Sequence, residues 1–248
     1  MEKFLFLDLD DTIFQTARKC ASLEHAEPAS YNLQGEPSSY FLPKQKALLS
    51  SLAREWRIIP TTARTRAAYA RVDLAELCQD GAILNHGGTV VMQNGLDDAT
   101  WQAKMVTDLK PQYLAITTIK QSIEQYAQLY NMTVLVRITT ESECTYYVEV
   151  RHHQADYAAL QQLLQVFITP LLEQYPDFIA YLNSNSLTIL PRCVNKSHAV
   201  AYKIASLKQQ YGEIITMGMG DSASDMPFMA LCDYVMSPKN TQLHGLLQ

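Results

Sequence analysis

Short apolar runs alternate with longer stretches of helical spacing at both ends of the chain. Phe4-Leu5-Phe6-Leu7 is unbroken, as in a strand covered on both faces. Ile58-Ile59, Ala82-Ile83-Leu84 and Ile214-Ile215-Thr216-Met217 repeat the pattern, and helical spacing over residues 44–56 and 196–211 separates some of them. Strand, helix and strand in alternation predict a parallel α/β sheet. Two of the strands run directly into polar clusters, residues 8–12 and 220–225. Ligands of open α/β sheets bind at the carboxyl ends of strands.

The middle of the chain reads differently. Thr89-Val90-Val91-Met92 leads into an Asn94-Gly95 turn, and Ile116, Ile119, Ile123, Tyr126 and Tyr130 keep helical spacing. Alternating strands follow over 132–139 and 145–152. A second helix carries Leu160, Leu163, Leu164, Phe167, Leu171 and Leu172, with Pro170 kinking it or starting a new turn. Residues 178–182 and 187–190 form a closing hairpin around Asn183-Ser184-Asn185. This α+β pattern predicts a cap, residues 86–191, inserted in a discontinuous core of residues 1–85 and 192–248. Residues 20–43, with three prolines and Gly35, fit a small flap or a surface loop equally.

Asp8 and Asp10 sit two apart at a strand end, where an extended chain would place both side chains on one face. Crowded carboxylates repel unless a cation or proton lies between them, and Mg2+ takes oxygen ligands. An acidic loop capping a helix would give the same DxD. Asp221 and Asp225, after another apolar strand, change the balance: the two acidic clusters are better explained together, as a metal cradle, although Asp225 alone would fit an N-cap. Thr62 stands at a strand-to-helix transition, where a hydroxyl caps a helix or donates to a phosphoryl oxygen. Lys196 opens a helix, against its dipole, which suits a residue holding an anion.

Composition narrows the partners. The hydrophobic fraction of 48% and charged fraction of 18% are those of a globular protein. A net charge of -5 argues against a nucleic-acid partner, which demands a basic face. No apolar run is long enough to span a bilayer. The five dispersed cysteines read as reduced thiols, and a cytoplasmic monomer or homodimer is expected.

Four segments in order, DLDDT, TTAR, NKSH and GDSASDMPF, resemble the haloacid-dehalogenase-like hydrolases. An insertion between the second and third resembles the branch with a large α+β cap, which includes Cof-like, sucrose-phosphate and mannosylphosphoglycerate phosphatases. The resemblance implies a Rossmann-like core and a Mg2+-dependent phosphatase of a small phosphorylated metabolite such as a sugar phosphate. Asp8 would be the nucleophile and Asp10 the general acid/base. Thr62 and Lys196 would hold phosphate, and Asp8, Asp10 (through its carbonyl), Asp221 and Asp225 would serve the metal. A phosphotransferase or mutase using Asp8, or a non-catalytic binding protein, is the alternative. Ala63, Ser224 and His86 depart from the family pattern. In the cap, alternation places Arg137 and Arg151 on an open sheet face, as substrate-specificity residues or as part of a solvated face with Arg–Glu pairing.

Overall fold

A computed structural model describes residues 1–74, 78, 80–183 and 185–245. Their contacts divide them into two compact units, Met1–Trp101 with Asn195–Gln248, and Gln102–Val194. No helix of the described residues is long and apolar enough to cross a membrane.

The first unit is built on a four-stranded parallel sheet. Glu2–Leu7 lies between Ile214–Met219 and Arg57–Pro60, and Tyr234–Met236 pairs with the far side of Ile214–Met219. Phe4, Leu5, Phe6 and Leu7 are fully buried, as their unbroken apolar run demands. Pro60 is the last residue of its strand, where a missing N–H interrupts least. Thr61 then continues the direction, its amide donating to the Leu7 carbonyl at 2.7 Å. Helix Lys196–Tyr211 spans the residues its spacing predicts. Helix Pro43–Leu52 stops short of residue 56.

The segment at 20–43 is folded rather than a bare loop. Glu27–Tyr31 and Pro37–Phe41 pair antiparallel, and Gln15–Thr16 adds a third strand.

The second unit is a sheet with helices. Its strand order is Phe178–Asn183, Ser186–Pro191, Cys144–His152 and Val134–Glu141, all antiparallel. Ile116, Ile119 and Ile123 of helix Tyr113–Leu129 pack with Val148, Val150, Leu160, Leu163 and Ile189. Pro170 falls just inside helix Thr169–Leu172, preceded by a π-helical turn, Leu164–Ile168, that follows Tyr157–Leu163. A proline cannot donate to the preceding turn, so the ladder widens there. The expected Asn183-Ser184-Asn185 turn includes Ser184, which lies outside the described residues.

The seams differ from the expected 86 and 191. Residues 86–101 group with the first unit because Thr89–Val91 pairs with Ala82–Leu84 and the Trp101 indole donates to the Gly87 carbonyl. Helix Ala99–Leu109 has no counterpart among the expected elements, although Trp101, Met105 and Leu109 form a buried stripe at spacing four.

Candidate active site

The strand Glu2–Leu7 ends one residue before Asp8, whose amide still donates to the Met219 carbonyl of the neighbouring strand at 2.8 Å. This pins Asp8 at the carboxyl edge of the sheet, buried to 6% exposure. The chain then turns. Asp11 has a φ of 64°, a conformation that Asp tolerates better than most residues. The Asp11 amide donates to the Phe14 carbonyl and the Ile13 amide to that of Leu9.

Asp8 accepts from two groups. Lys196 Nζ donates to its Oδ1 at 2.7 Å, and Thr12 Oγ1 to its Oδ2 at 2.9 Å. The Thr12 hydroxyl also lies 3.3 Å from Asp221 Oδ1. Lys196 Nζ donates again to Asp225 Oδ1 at 2.7 Å. Asp225 is the N-cap residue of the short helix Met226–Met229, yet its side chain makes no cap bond. Its Oδ2 instead accepts from Ser222 Oγ at 2.7 Å and from the amides of Ser222 and Asp221 at 3.1 and 3.3 Å. Both Asp225 oxygens are therefore engaged by donors of the chain. Asn195 caps the helix that Lys196 begins, its Oδ1 accepting from the Ser197 amide.

One cation thus serves three buried carboxylates. Burial pushes the Asp8 carboxyl well above the usual carboxylate range; Lys196 opposes this, while Asp225 and Asp221 add to it. Asp221 is pushed up to about 7 by burial, then by Asp225 and Asp11, against Lys196 and Thr12. Burial works against the Lys196 ammonium, but Asp225 and Asp8 outweigh it and push its pKa up. Oxygens of Asp8, Asp221 and Asp225 lie within 4.8 Å of one another, close enough to hold a metal ion. An all-oxygen donor set short of positive charge fits a hard divalent cation such as Mg2+.

Asp10 does not crowd Asp8 as the strand-end spacing suggests. Past the strand its side chain, 44% exposed, forms a bidentate pair with Arg64: Nε to Oδ2 and Nη2 to Oδ1, both 2.7 Å. The repulsion expected between Asp8 and Asp10 falls instead among Asp8, Asp221 and Asp225. Arg64 sits in the TTAR segment and went unassigned in the sequence; a lone arginine after a threonine pair carries no signal of its partner. Its amide also donates to Thr62 Oγ1 at 3.2 Å. Thr62 is buried and is not a helix cap; Thr65 caps the next helix, Arg66–Tyr69. Among the described residues no acceptor takes the Thr62 hydroxyl hydrogen, which leaves it able to donate. Asp11, too, has its own cation, Lys19.

In the second unit Arg137 and Arg151 meet on Glu149. Arg137 Nε and Arg151 Nε donate to its two oxygens at 2.7 Å each, and Ser186 Oγ adds a bond at 2.9 Å. Burial alone would raise the Glu149 carboxyl; Arg151 and Arg137 outweigh it and hold it below the usual range. Both arginine side chains remain 52% exposed.

The charge shortage has a pH signature in metal-free protein. A carboxyl raised in the folded state contributes stability that is complete below its unfolded value, 3.8, and is lost as pH rises through about 7. Metal-free Asp221→Asn is therefore expected to melt above the wild type at pH 8 and alongside it below pH 4. Added magnesium should raise the wild-type Tm at pH 8 and that of Asp221→Asn far less. Thermal melts with chelator or magnesium check this, and a wild type unresponsive to both would refute it.

No protein-family model matches the sequence, and no curated protein matches it. Solved structures do. A sucrose-phosphatase from Synechocystis sp., in complex with sucrose and phosphate, is similar with TM-score 0.57 and 14% identity, over 100% of this chain and 96% of that one. The C-terminal domain of trehalose-6-phosphate phosphatase from C. albicans gives TM-score 0.54 at 15% identity, over 92% of this chain and 72% of that one. A protein from Eubacterium rectale gives 0.55 at 10% identity, over 100% and 91%. At such identities the likeness speaks for architecture alone, and the architecture is a Rossmann-like parallel-sheet core with an inserted α+β unit.

Proposed function

We propose that the chain is a Mg2+-dependent phosphoric monoester hydrolase, acting through an aspartyl-phosphate at Asp8 on a small phosphorylated metabolite, a sugar phosphate foremost. The observation that carries this reading is the buried Asp8 carboxylate, gripped by Lys196 and Thr12 beside Asp221 and Asp225. The similar structures named for sucrose phosphate and trehalose-6-phosphate chemistry favour the sugar.

Asp8 attacks phosphorus through one carboxylate oxygen, and the ester P–O bond breaks. The leaving alkoxide takes a proton from Asp10. Water then attacks the aspartyl-phosphate, gives a proton to Asp10, and frees phosphate and Asp8. Lys196 and the Thr62 hydroxyl donate to the phosphoryl oxygens as their charge grows. Mg2+, held by Asp8, Asp221, the Asp10 carbonyl and Asp225 directly or through water, would offset the carboxylate charge and polarise the phosphoryl group.

Arg64 sets the direction of Asp10. A proton on either Asp10 oxygen weakens the charge-assisted pair with the guanidinium, so the Arg64 contact loosens and tightens as Asp10 gives up and regains its proton. Arg137 and Arg151 are proposed as substrate-recognition residues, their donors fixed by Glu149 and their side chains half exposed.

Asp8→Asn should keep the fold and lose release of inorganic phosphate from every ester; wild-type rates in this variant would rule out the nucleophile. A wild type that moves phosphate to an alcohol without freeing it would be a phosphotransferase instead.

Arg64→Ala should slow alkyl phosphate hydrolysis about tenfold or more, and p-nitrophenyl phosphate much less, because nitrophenolate needs little protonation. Equal losses on both would count against Arg64 acting through the acid.

Arg151→Ala is expected to raise KM for the preferred sugar phosphate and leave p-nitrophenyl phosphate unaffected. An unchanged KM across a metabolite phosphate screen would return Arg151 to a purely structural pairing.

A further inference from the structure

Residues 85–87 form a run of three consecutive positive φ values: 51° at Asn85, 55° at His86 and 96° at Gly87. Side-chain-bearing residues seldom adopt this conformation, and it persists where the surroundings over-determine it. Those surroundings are the segments that carry Thr62, Arg64 and Lys196. The Asn85 amide donates to the Arg64 carbonyl at 2.9 Å, and the His86 amide to the Thr62 carbonyl at 3.2 Å. Asn85 Nδ2 ties the turn to Thr89 Oγ1 at 3.0 Å, and Trp101 Nε1 donates to the Gly87 carbonyl at 3.1 Å. On its other side Gly87 lies against the peptide that enters Lys196. A Cβ there would fall 2.3 Å from the Asn195 carbonyl oxygen and 2.8 Å from the Lys196 nitrogen.

We propose that the Asn85-His86-Gly87 turn is a positioning element of the site: it fixes the spacing between Thr62 and Lys196, the two groups that would hold the phosphoryl oxygens. The proposal rests on the phosphatase reading above and adds residues which no part of that mechanism uses. Thr62 and Lys196 stand 134 positions apart in sequence (196 less 62) and on different elements. The turn is bonded to the main chain at the first and packed against it at the second. Because Gly87 has no room for a side chain, any added atom moves the Asn195–Lys196 peptide or the turn itself. Either shift changes the separation of the two donors. A displacement on the order of 1 Å in such a pair can cost about a hundredfold in rate.

Gly87→Ala is the direct test, and Gly81→Ala is its control. Gly81 has a φ of 88° and a Cβ there would fall 2.0 Å from the Val91 carbonyl oxygen, so it is at least as strained but has no tie to Lys196. Both variants should lose thermal stability. Only Gly87→Ala should raise KM for p-nitrophenyl phosphate and the inhibition constant of inorganic phosphate, by about tenfold or more. Trp101→Phe keeps a ring and deletes the indole N–H, so it should fold and raise both constants several-fold; it decides the matter if Gly87→Ala does not fold. Wild-type constants in Gly87→Ala and Trp101→Phe, or equal changes in Gly81→Ala, would overturn the proposal. If the wild type hydrolyses no phosphate ester, the phosphatase reading falls, and calorimetric titration with inorganic phosphate and magnesium decides instead. Affinity lost in Gly87→Ala (or Trp101→Phe) and kept in Gly81→Ala would support the positioning role, and equal affinities or no wild-type binding would end it.

Discussion

A single ammonium group, Lys196 Nζ, bridges Asp8 and Asp225 at 2.7 Å each, and the arrangement of the site follows from it. Removing charges from water is costly, and a buried ion is tolerated only with a partner and further hydrogen bonds. Asp225 meets that condition fully, with Lys196 on one oxygen and three donors on the other. Asp8 meets it in part, through Lys196 and Thr12. Asp221 meets it least, and its carboxyl accordingly moves to about 7. Asp8 and Asp225 both accept from Lys196 and Asp221 does not, yet burial raises the carboxyls of Asp8 and Asp221 alike. Asp225 is the saturated member, a support for Lys196 as much as an acid.

The same rule extends outward from Asp8. Each carboxylate of residues 8–11 takes a cation from a different part of the chain: Lys196 from a helix, Arg64 from the loop that follows strand Arg57–Pro60, Lys19 from beside the flap. The three acids therefore point apart, although they crowd within four residues of sequence. In the second unit Glu149 repeats the logic with two arginines on one carboxylate.

Much of the core was legible because burial on both faces leaves an unbroken apolar run. Phe4 to Leu7 and Ile214 to Met217 could be read directly, as could helix Lys196–Tyr211 from its spacing. Lys196 itself was legible because a cation at a helix start is electrostatically out of place. Arg64 was not, because its partner is 54 residues away and periodicity carries no pairing information. The bend at Asp11 was equally hidden: extended geometry puts Asp8 and Asp10 on one face, and the left-handed residue after Asp10 belongs to a chain that has already turned. The boundary near residue 86 slipped for a related reason. A strand marks an element, and its pairing with Ala82–Leu84 decides which unit owns it.

Strand Glu2–Leu7 lies between Arg57–Pro60 and Ile214–Met219, so one of its edges waits for a partner more than two hundred residues later in synthesis. Residues 102–194 lie within that interval as a compact unit of their own, and until residue 214 is made strand Glu2–Leu7 keeps an unpaired apolar edge of the kind prone to mispairing. Asp8 and Lys196 stand 188 positions apart, so the ion pair at the centre of the site cannot form until that whole interval has been synthesised.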